Sequence, residues 1–340
     1  MKRVTIKDVA IEAGVSVTTV SHVINETRYV NPDTKLKVQN AQKKLGYRPN
    51  SVARSLRIGT TKTIGLIVPD ASNLFFAEVA RKIEDLGYQQ GYSVILGNSD
   101  NDPDKQANYV NTLIAKQVDG VIFISAGGNV QDLQQLIGNN IPVVLADRDA
   151  PWDLVDVVLL DNEKAGYDAT QHLLQLGHKQ IACITGPNDL SPSMLRVEGY
   201  KRALSEWGIP FRSELIKAGD FRFESGESTM RELLKLFVRP TAVFILNDMM
   251  AIGAMTAARK EGLSVPSDLS VVGFDDIEIA SAVTPALTTI AQPFNKLAES
   301  ATNLLIERMQ GETPSEKKRI ILDAQLVVRE STCQRGSINA

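Results

Sequence analysis

The stretch TIKDVAIEAGVSVTTVSHVI, residues 5–24, decides the fold of the N-terminal part of the chain. Ile6, Val9, Ala10 and Ala13 recur at helical spacing, Thr5 stands as N-cap with Asp8 three residues on as its capping partner, and Gly14 supplies the stop. Ser16 then caps a second helix in which Val20, Val23 and Ile24 turn inward while Val17, Thr18, Ser21 and His22 turn outward. Two short helices joined through a glycine turn make a helix-turn-helix. Asn31 and Pro32 begin a third helix that carries Val38, Ala41 and Leu45 to Gly46, so three helices share one small core. Residues 50–59, NSVARSLRIG, predict a further helix of about two turns capped by Asn50, too short to be stable alone in water.

Charge is distributed unevenly around this head. Residues 1–60 hold eleven Lys and Arg against four acids, a net +7, which leaves −10 for the rest of a chain whose total is −3. A basic head on an acidic body suits contact with a polyanion at one end only, although a merely solvated basic face would look the same. With 340 residues, 43% hydrophobic and 23% charged, the chain has the composition of a globular protein rather than a disordered one. Asp8 and Glu12 interrupt any apolar signal-peptide core, and no run approaches the roughly 20 apolar residues of a membrane span, so a cytoplasmic location is expected. Cys183 lies in the apolar run IACIT and Cys333 in a polar tail, and the only histidines are His22, His172 and His178. Neither a disulfide framework nor a metal cluster is expected from that set.

After Lys62 the texture changes to apolar strands alternating with amphipathic helices. TIGLIVP, SVILGN, DGVIFIS and PVVLAD form one series of strands, and QIACIT, ELIKAG, TAVFILN, LSVVGF and LTTIAQ form a second. Alternation of this kind predicts parallel sheets covered by helices, in two similar lobes. Ligands of such folds bind beyond the carboxyl ends of the strands, which between two lobes would line a cleft.

The headpiece stretch, followed by LGYRPNSVARSL, resembles the LacI family of bacterial regulators, and the likeness continues through ACITGP, FILND, VVGFDD and LTTIAQP. It implies an α-helical helix-turn-helix headpiece joined to an α/β periplasmic-binding-protein-like domain of two parallel-sheet lobes. The expected boundaries are 1–49 for the headpiece, 50–62 for a hinge helix and linker, and 63–340 for the ligand-binding and dimerisation domain. The resemblance places Val17, Thr18 and His22 at base edges in the major groove, where a small apolar group meets a thymine methyl and hydroxyl or imidazole groups exchange hydrogen bonds with bases. Arg28 and Thr34 fall to the phosphate backbone, and Thr5 joins the DNA-binding set. In the hinge it implies that Leu56 wedges between base pairs from the minor groove, that Ala53 lets two hinge helices approach, and that Arg57 reaches the backbone. That helix is then expected to form on DNA and with a partner chain.

The lobes are similar to those of sugar-binding periplasmic proteins, the ribose-binding ones in particular. That likeness implies a ligand site of Asn73, Phe75, Phe76, Asp147, Arg148, Arg196, Phe221, Asn247, Asp275 and Gln292. These are residue types a small polyol needs: aromatic faces for C–H surfaces, and carboxylate, guanidinium and amide groups for closely spaced hydroxyls. The headpiece is also close to purine-type members of the family, but Leu190 and Pro192 stand where those have polar contacts to the nucleobase. The expectation is a homodimeric repressor of a sugar-utilisation operon, released from operator DNA by a small sugar such as D-ribose, with no cofactor. The alternatives are a purine-type co-repressed regulator and a sugar-binding transport component without DNA binding. No phosphate loop, dinucleotide fingerprint or nucleophile motif points to an enzyme. The tail ESTCQRGSINA lacks leucine heptads, so a dimer is expected rather than a coiled-coil tetramer.

Overall fold

The computed structural model describes residues 4–48, 59–124, 130–149, 154–311 and 316–336. The chain divides into two compact units, Met1–Thr61 and Lys62–Ala340.

The small unit contains α1 (Ile6–Ala13), α2 (Val17–Asn25) and α3 (Pro32–Leu45). Its caps use the residues that the sequence offers. The Asp8 carboxylate accepts from the Thr5 amide at 2.8 Å and its hydroxyl at 2.7 Å, and the Ser16 hydroxyl accepts from the Thr19 amide at 3.0 Å. Gly14 and Gly46 close α1 and α3 at φ +66° and +62°, a left-handed conformation in which a side chain is strained. Val9, Ala10, Ala13, Val20, Val23, Val38 and Ala41 form the shared core.

The large unit begins with β1 (Thr63–Val68), α4 (Leu74–Gln89), β2 (Ser93–Asn98), α5 (Pro103–Ala115), β3 (Gly120–Phe123), α6 (Val130–Gly138), β4 (Val143–Ala146) and β5 (Asp156–Leu160). It continues with α7 (Asn162–Gln175), β6 (Ile181–Thr185), α8 (Ser191–Glu206), β7 (Ile216–Ala218), α9 (Phe223–Leu234), β8 (Ala242–Ile245) and α10 (Asp248–Lys260). The remaining elements are β9 (Ser270–Asp275), α11 (Glu278–Ala282), β10 (Thr288–Ala291), α12 (Phe294–Gln310), β11 (Arg319–Leu322) and β12 (Gln325–Val327). Two six-stranded sheets result, in the orders β11-β5-β4-β3-β1-β2 and β12-β10-β9-β8-β6-β7. Every pairing is parallel except β10 with β12. The central strands are buried on both faces, which explains their unbroken apolar runs. Each sheet anchors one lobe.

The chain crosses between lobes three times: after β5, after β10, and between β11 and β12. α12 therefore returns to pack on α4 and the first sheet. The alternating pattern does not reveal β5, α7, α11, β11 or β12. β5 opens on Asp156, whose buried carboxylate is held by Arg308 of α12 at 2.8 Å and by the Lys318 amide at 2.7 Å. An acid that reads as a loop residue is thereby the pin joining β5 to β11. No helix among the described residues is long and apolar enough to cross a membrane.

Candidate functional site

Of the four residues expected to face outward on α2, two are exposed and two, Ser21 among them, are half-buried. Val17 and Thr18 are exposed in its first turn, and half-buried His22 lies one turn on. The imidazole Nδ1 shares a 2.8 Å hydrogen bond with the Thr27 hydroxyl, which leaves Nε2 for a partner from outside. Thr5 and Arg28 are exposed, and Thr34 is half-buried at the start of α3. Ala53, Leu56 and Arg57, with the hinge helix expected around them, lie outside the described residues.

In the large unit all ten sequence-predicted ligand residues line one chamber, together with Pro192. The strand ends bring them there. Asn73 caps α4 after β1, its side chain accepting from the Phe75 amide at 3.0 Å, and the first turn of α4 carries Phe75 and Phe76 edge to face, 5.3 Å apart. Asp147 and Arg148 follow β4, Phe221 follows β7, Asn247 caps α10 after β8, Asp275 ends β9, and Gln292 sits on the crossover after β10. Asn247 accepts from the Met250 amide at 3.0 Å and donates to the Phe221 carbonyl at 2.8 Å. One amide thus positions two chamber walls. Phe221 is held at φ +69°, where a bulky residue is rare.

Arg196 comes from the second turn of α8, and the support behind it is what the sequence reading missed. Its Nε donates to Asn162 at 2.8 Å, its Nη1 donates to the Leu246 carbonyl at 2.7 Å, and its guanidinium lies 3.5 Å over the Phe274 ring. α7 and α8 pack at near-backbone contact here. A Cβ on Gly199 would stand 2.0 Å from the Glu163 carbonyl oxygen, and one on Gly166 would stand 2.2 Å from that of Arg196. Asp248 braces a second wall, accepting from the Thr289 hydroxyl at 2.6 Å and the Ile277 amide at 3.0 Å. Gln292 donates to Asp275 at 2.7 Å.

The chamber is narrow, with about 20 Å³ of cavity volume. A larger hollow of about 460 Å³, lined by His178, Tyr200 and Trp207 among others, lies elsewhere in the second lobe, so volume alone does not select a site. Charge burial does. Asp147, Arg148, Arg196 and Asp275 are each at most 6% exposed. Among the described residues five buried side-chain polar atoms lack a hydrogen-bond partner, and three of them are Asp147 Oδ1, Arg148 Nε and Arg148 Nη1. Arg148 Nε lies 3.8 Å from Asp147 Oδ2 in a buried ion pair, so the two charges offset each other while these three atoms keep hydrogen-bonding capacity for a ligand.

The electrostatics agree. Burial pushes the Asp147 carboxyl up against the pull of Arg148 and Arg196, and burial lowers Arg148 although Asp147 and Asp189 oppose it. Arg196 falls to about 10 through burial, with Asp275 and Asp147 resisting. Asp275 is pushed up to about 7 by burial, with repulsion from Asp147 adding to it and Arg196 and Gln292 opposing. Asp248 behind it is raised by burial and then by Asp275. A ligand offering both donors and acceptors relieves all of these groups without a net charge of its own.

Comparison with known proteins assigns the family. Residues 5–50 match the family model for bacterial regulatory proteins of the lacI family, and residues 170–332 match a periplasmic binding protein-like domain. The chain is 44% identical to the HTH-type transcriptional repressor PurR of Actinobacillus pleuropneumoniae serotype 3 (strain JL03), over 96% of this chain and 98% of that protein. The structure of a lac repressor dimer bound to operator and the anti-inducer ONPF superposes with a TM-score of 0.86 at 31% identity, covering 98% of this chain and 100% of that one. A LacI-family transcriptional regulator from Enterococcus faecium with bound ribose gives 0.74 at 33% identity, covering 80% of this chain and 99% of that one. The chain belongs to the lacI family of bacterial regulatory proteins and is a DNA-binding transcriptional repressor with a ligand-binding domain.

Proposed function

We propose that this repressor controls a sugar-utilisation operon from the cytoplasm as a homodimer, and that D-ribose or a related pentose closes its cleft and releases the operator. The observation that carries this reading is the chamber of ten polyol-type side chains, with Asp147 Oδ1, Arg148 Nε and Arg148 Nη1 buried inside it without a hydrogen bond. Phe75, Phe76 and Phe221 offer apolar faces to the C–H surfaces of a sugar ring. Asp147 and Asp275 accept from its hydroxyls, Arg148 and Arg196 donate to them, and Asn73, Asn247 and Gln292 complete the set. Asp147 and Arg148 belong to the first lobe, while Arg196, Asn247 and Asp275 belong to the second, so one small ligand ties both lobes together. The ribose-bound relative supports the same class of effector.

On DNA, each headpiece reads one half-site of a near-palindromic operator, with Val17, Thr18 and His22 at base edges and Thr5, Arg28 and Thr34 on phosphates. Leu56 wedges the minor groove, with Ala53 and Arg57 beside it in the paired hinge. Similarity to PurR over the whole chain favours a second reading, a purine-type co-repressed regulator. Effector choice rests on the eleven side chains that line the chamber, and there apolar Pro192 stands in the wall. Calorimetry with pentoses, hexoses and purine bases, paired with operator binding under each, separates the two. Binding of ribose with loss of operator affinity supports the first reading. Purine binding that tightens the operator complex replaces it with the second.

A further inference from the structure

The turn after β7 does more than carry Phe221. Asp220 accepts from the Arg222 amide at 2.8 Å, Asn247 holds the Phe221 carbonyl, and Phe221 takes its left-handed conformation between them. With Phe221 turned into the chamber, the next side chain stands at the rim. Arg222 is 67% exposed, and its Nη2 lies 4.0 Å from Asp70 Oδ2. Asp70 belongs to the other lobe, just after β1. Its Oδ1 is occupied by the Ser72 amide at 2.9 Å and the Ser72 hydroxyl at 2.6 Å, so Oδ2 is the oxygen turned to Arg222. The neighbouring loop after β2 is bound to the same lip, the Ala71 amide donating to Asn98 at 3.0 Å, and it adds Asp100. Asp100 is lowered chiefly by its bond to Lys105, and Arg222 acts on it in the same direction from across the cleft.

We propose that Arg222 and the Asp70–Asp100 lip form an electrostatic latch across the cleft mouth, which biases the lobes toward closure without touching the effector. The ion pair joins the lobes at their mouth rather than at the crossovers, so it exists only while the cleft is shut. Arg222 is therefore a positioning residue: it acts on the ligand through the placement of Phe221 and the closure equilibrium. Because the pair is solvent-exposed, its effect is modest and is screened by salt. This inference rests on the sugar-effector reading only for one of its two readouts.

The test is a double-mutant cycle in the full-length protein, with Arg222→Gln, Asp70→Asn and the pair together. Asp70→Asn keeps an oxygen for Ser72, and neither side chain belongs to the proposed ligand set. The first readout is ribose affinity at low salt and at 0.5 M NaCl. Each single variant should weaken ribose about 1.5- to 5-fold at low salt, the double should weaken it no further, and the differences should vanish at high salt. The second readout needs no ligand: spin labels at Lys116→Cys and Lys235→Cys, in a Cys333→Ser background, report lobe separation. Both single variants should shift that distribution toward longer distances, non-additively. If the two substitutions act additively or leave the separation unchanged, there is no latch. If ribose does not bind the unsubstituted protein, the effector reading fails while the distance measurement still decides the latch.

Discussion

Acidification should weaken effector binding through Asp275, and the size of the effect follows from the chamber. Gln292 occupies Asp275 Oδ1 at 2.7 Å, which leaves Oδ2 as the oxygen that would accept from a bound effector. That acceptance is strongest from an ionised carboxylate, yet burial lifts the group to about 7 in the effector-free protein. If sugar binds only the ionised form, the apparent Kd scales as one plus the ratio of protonated to ionised Asp275. The factor is about 1.1 at pH 8, about 2 at pH 7 and about 11 at pH 6. Calorimetry in buffers of differing ionisation enthalpy should accordingly detect release of about 0.9 proton per sugar at pH 6 and about 0.1 at pH 8. Asp275→Asn should bind more weakly at pH 8 but lose the slope. A wild-type Kd that stays constant from pH 6 to 8, or a slope that survives the Asn substitution, refutes the reasoning.

The same shift has a stability consequence of opposite appearance. Between the ordinary carboxyl value of 3.8 and about 7 the folded effector-free protein keeps a proton that the unfolded chain has lost, so stability falls as pH rises through that window. Above it the full penalty, of order 4 kcal/mol, is present. Asp275→Asn removes the ionisation and should raise the denaturation midpoint of the effector-free protein at pH 8 while leaving it nearly unchanged at pH 4. The substitution that harms binding should stabilise the empty fold.

Operator binding should weaken steeply with salt, by roughly 0.9 log units per log unit of salt for each phosphate neutralised, because the head carries net +7; a flat response in filter-binding or fluorescence titrations would remove the polyanion reading. Leu56→Ala should reduce operator affinity and DNA bending, seen by gel mobility of permuted sites, while ribose affinity is preserved; unchanged bending would make the side chain structural instead. Gly199→Ala should destabilise the large unit in urea despite the ~1 kcal/mol gain in helix propensity, since the added Cβ meets the Glu163 carbonyl at 2.0 Å and the backbone must shift; a neutral result would show that α7 and α8 separate easily.

What was legible in the sequence follows the range of the forces involved. The caps Thr5, Ser16 and Asn31 and the stops Gly14 and Gly46 act within one turn, so residues 5–46 could be read almost position by position. Strands buried on both faces, such as Gly120–Phe123 and Val143–Ala146, are apolar runs and equally plain. β5, β11 and β12 were not, because their identity depends on a crossover and on the remote partners Arg308 and Lys318. The ten chamber residues came from resemblance to sugar-binding lobes, and the fold gathers all of them in one chamber, nine of them just beyond strand ends and Arg196 from α8. The shell behind them escaped notice. Asn162, Phe274 and Asp248 read as an unassigned polar residue, a core aromatic and a capping acid until α7, α8 and the second sheet bring them against Arg196 and Asp275. The glycines at 166 and 199 were the available signal, since they stand on two amphipathic helices without any turn to require them.

Effector and operator are coupled by the way the chain is threaded. The headpiece connects in sequence only to β1 of the first lobe, so a partner bound by the headpieces constrains that lobe directly and the second lobe only through three crossovers. A sugar held between Asp147 and Arg148 on one side and Arg196, Asn247 and Asp275 on the other fixes the angle that those crossovers leave adjustable. If paired hinges on DNA require one angle and the sugar stabilises another, each ligand raises the free energy of the other's complex, typically by about 1–3 kcal/mol. Reciprocity is then obligatory: an operator fragment must weaken ribose by the same factor by which ribose weakens the operator. If the regulator is catabolic, as proposed, that factor has to favour release, since the sugar would then be the substrate of the genes held off. Asp275→Ala, which leaves the Gln292 amide without its buried acceptor and removes the charge that Arg196 feels, should remain on the operator at ribose concentrations that free the wild type. Ribose that binds the wild type and tightens its hold on DNA would reverse the sign of the coupling and overturn the assignment as an induced repressor.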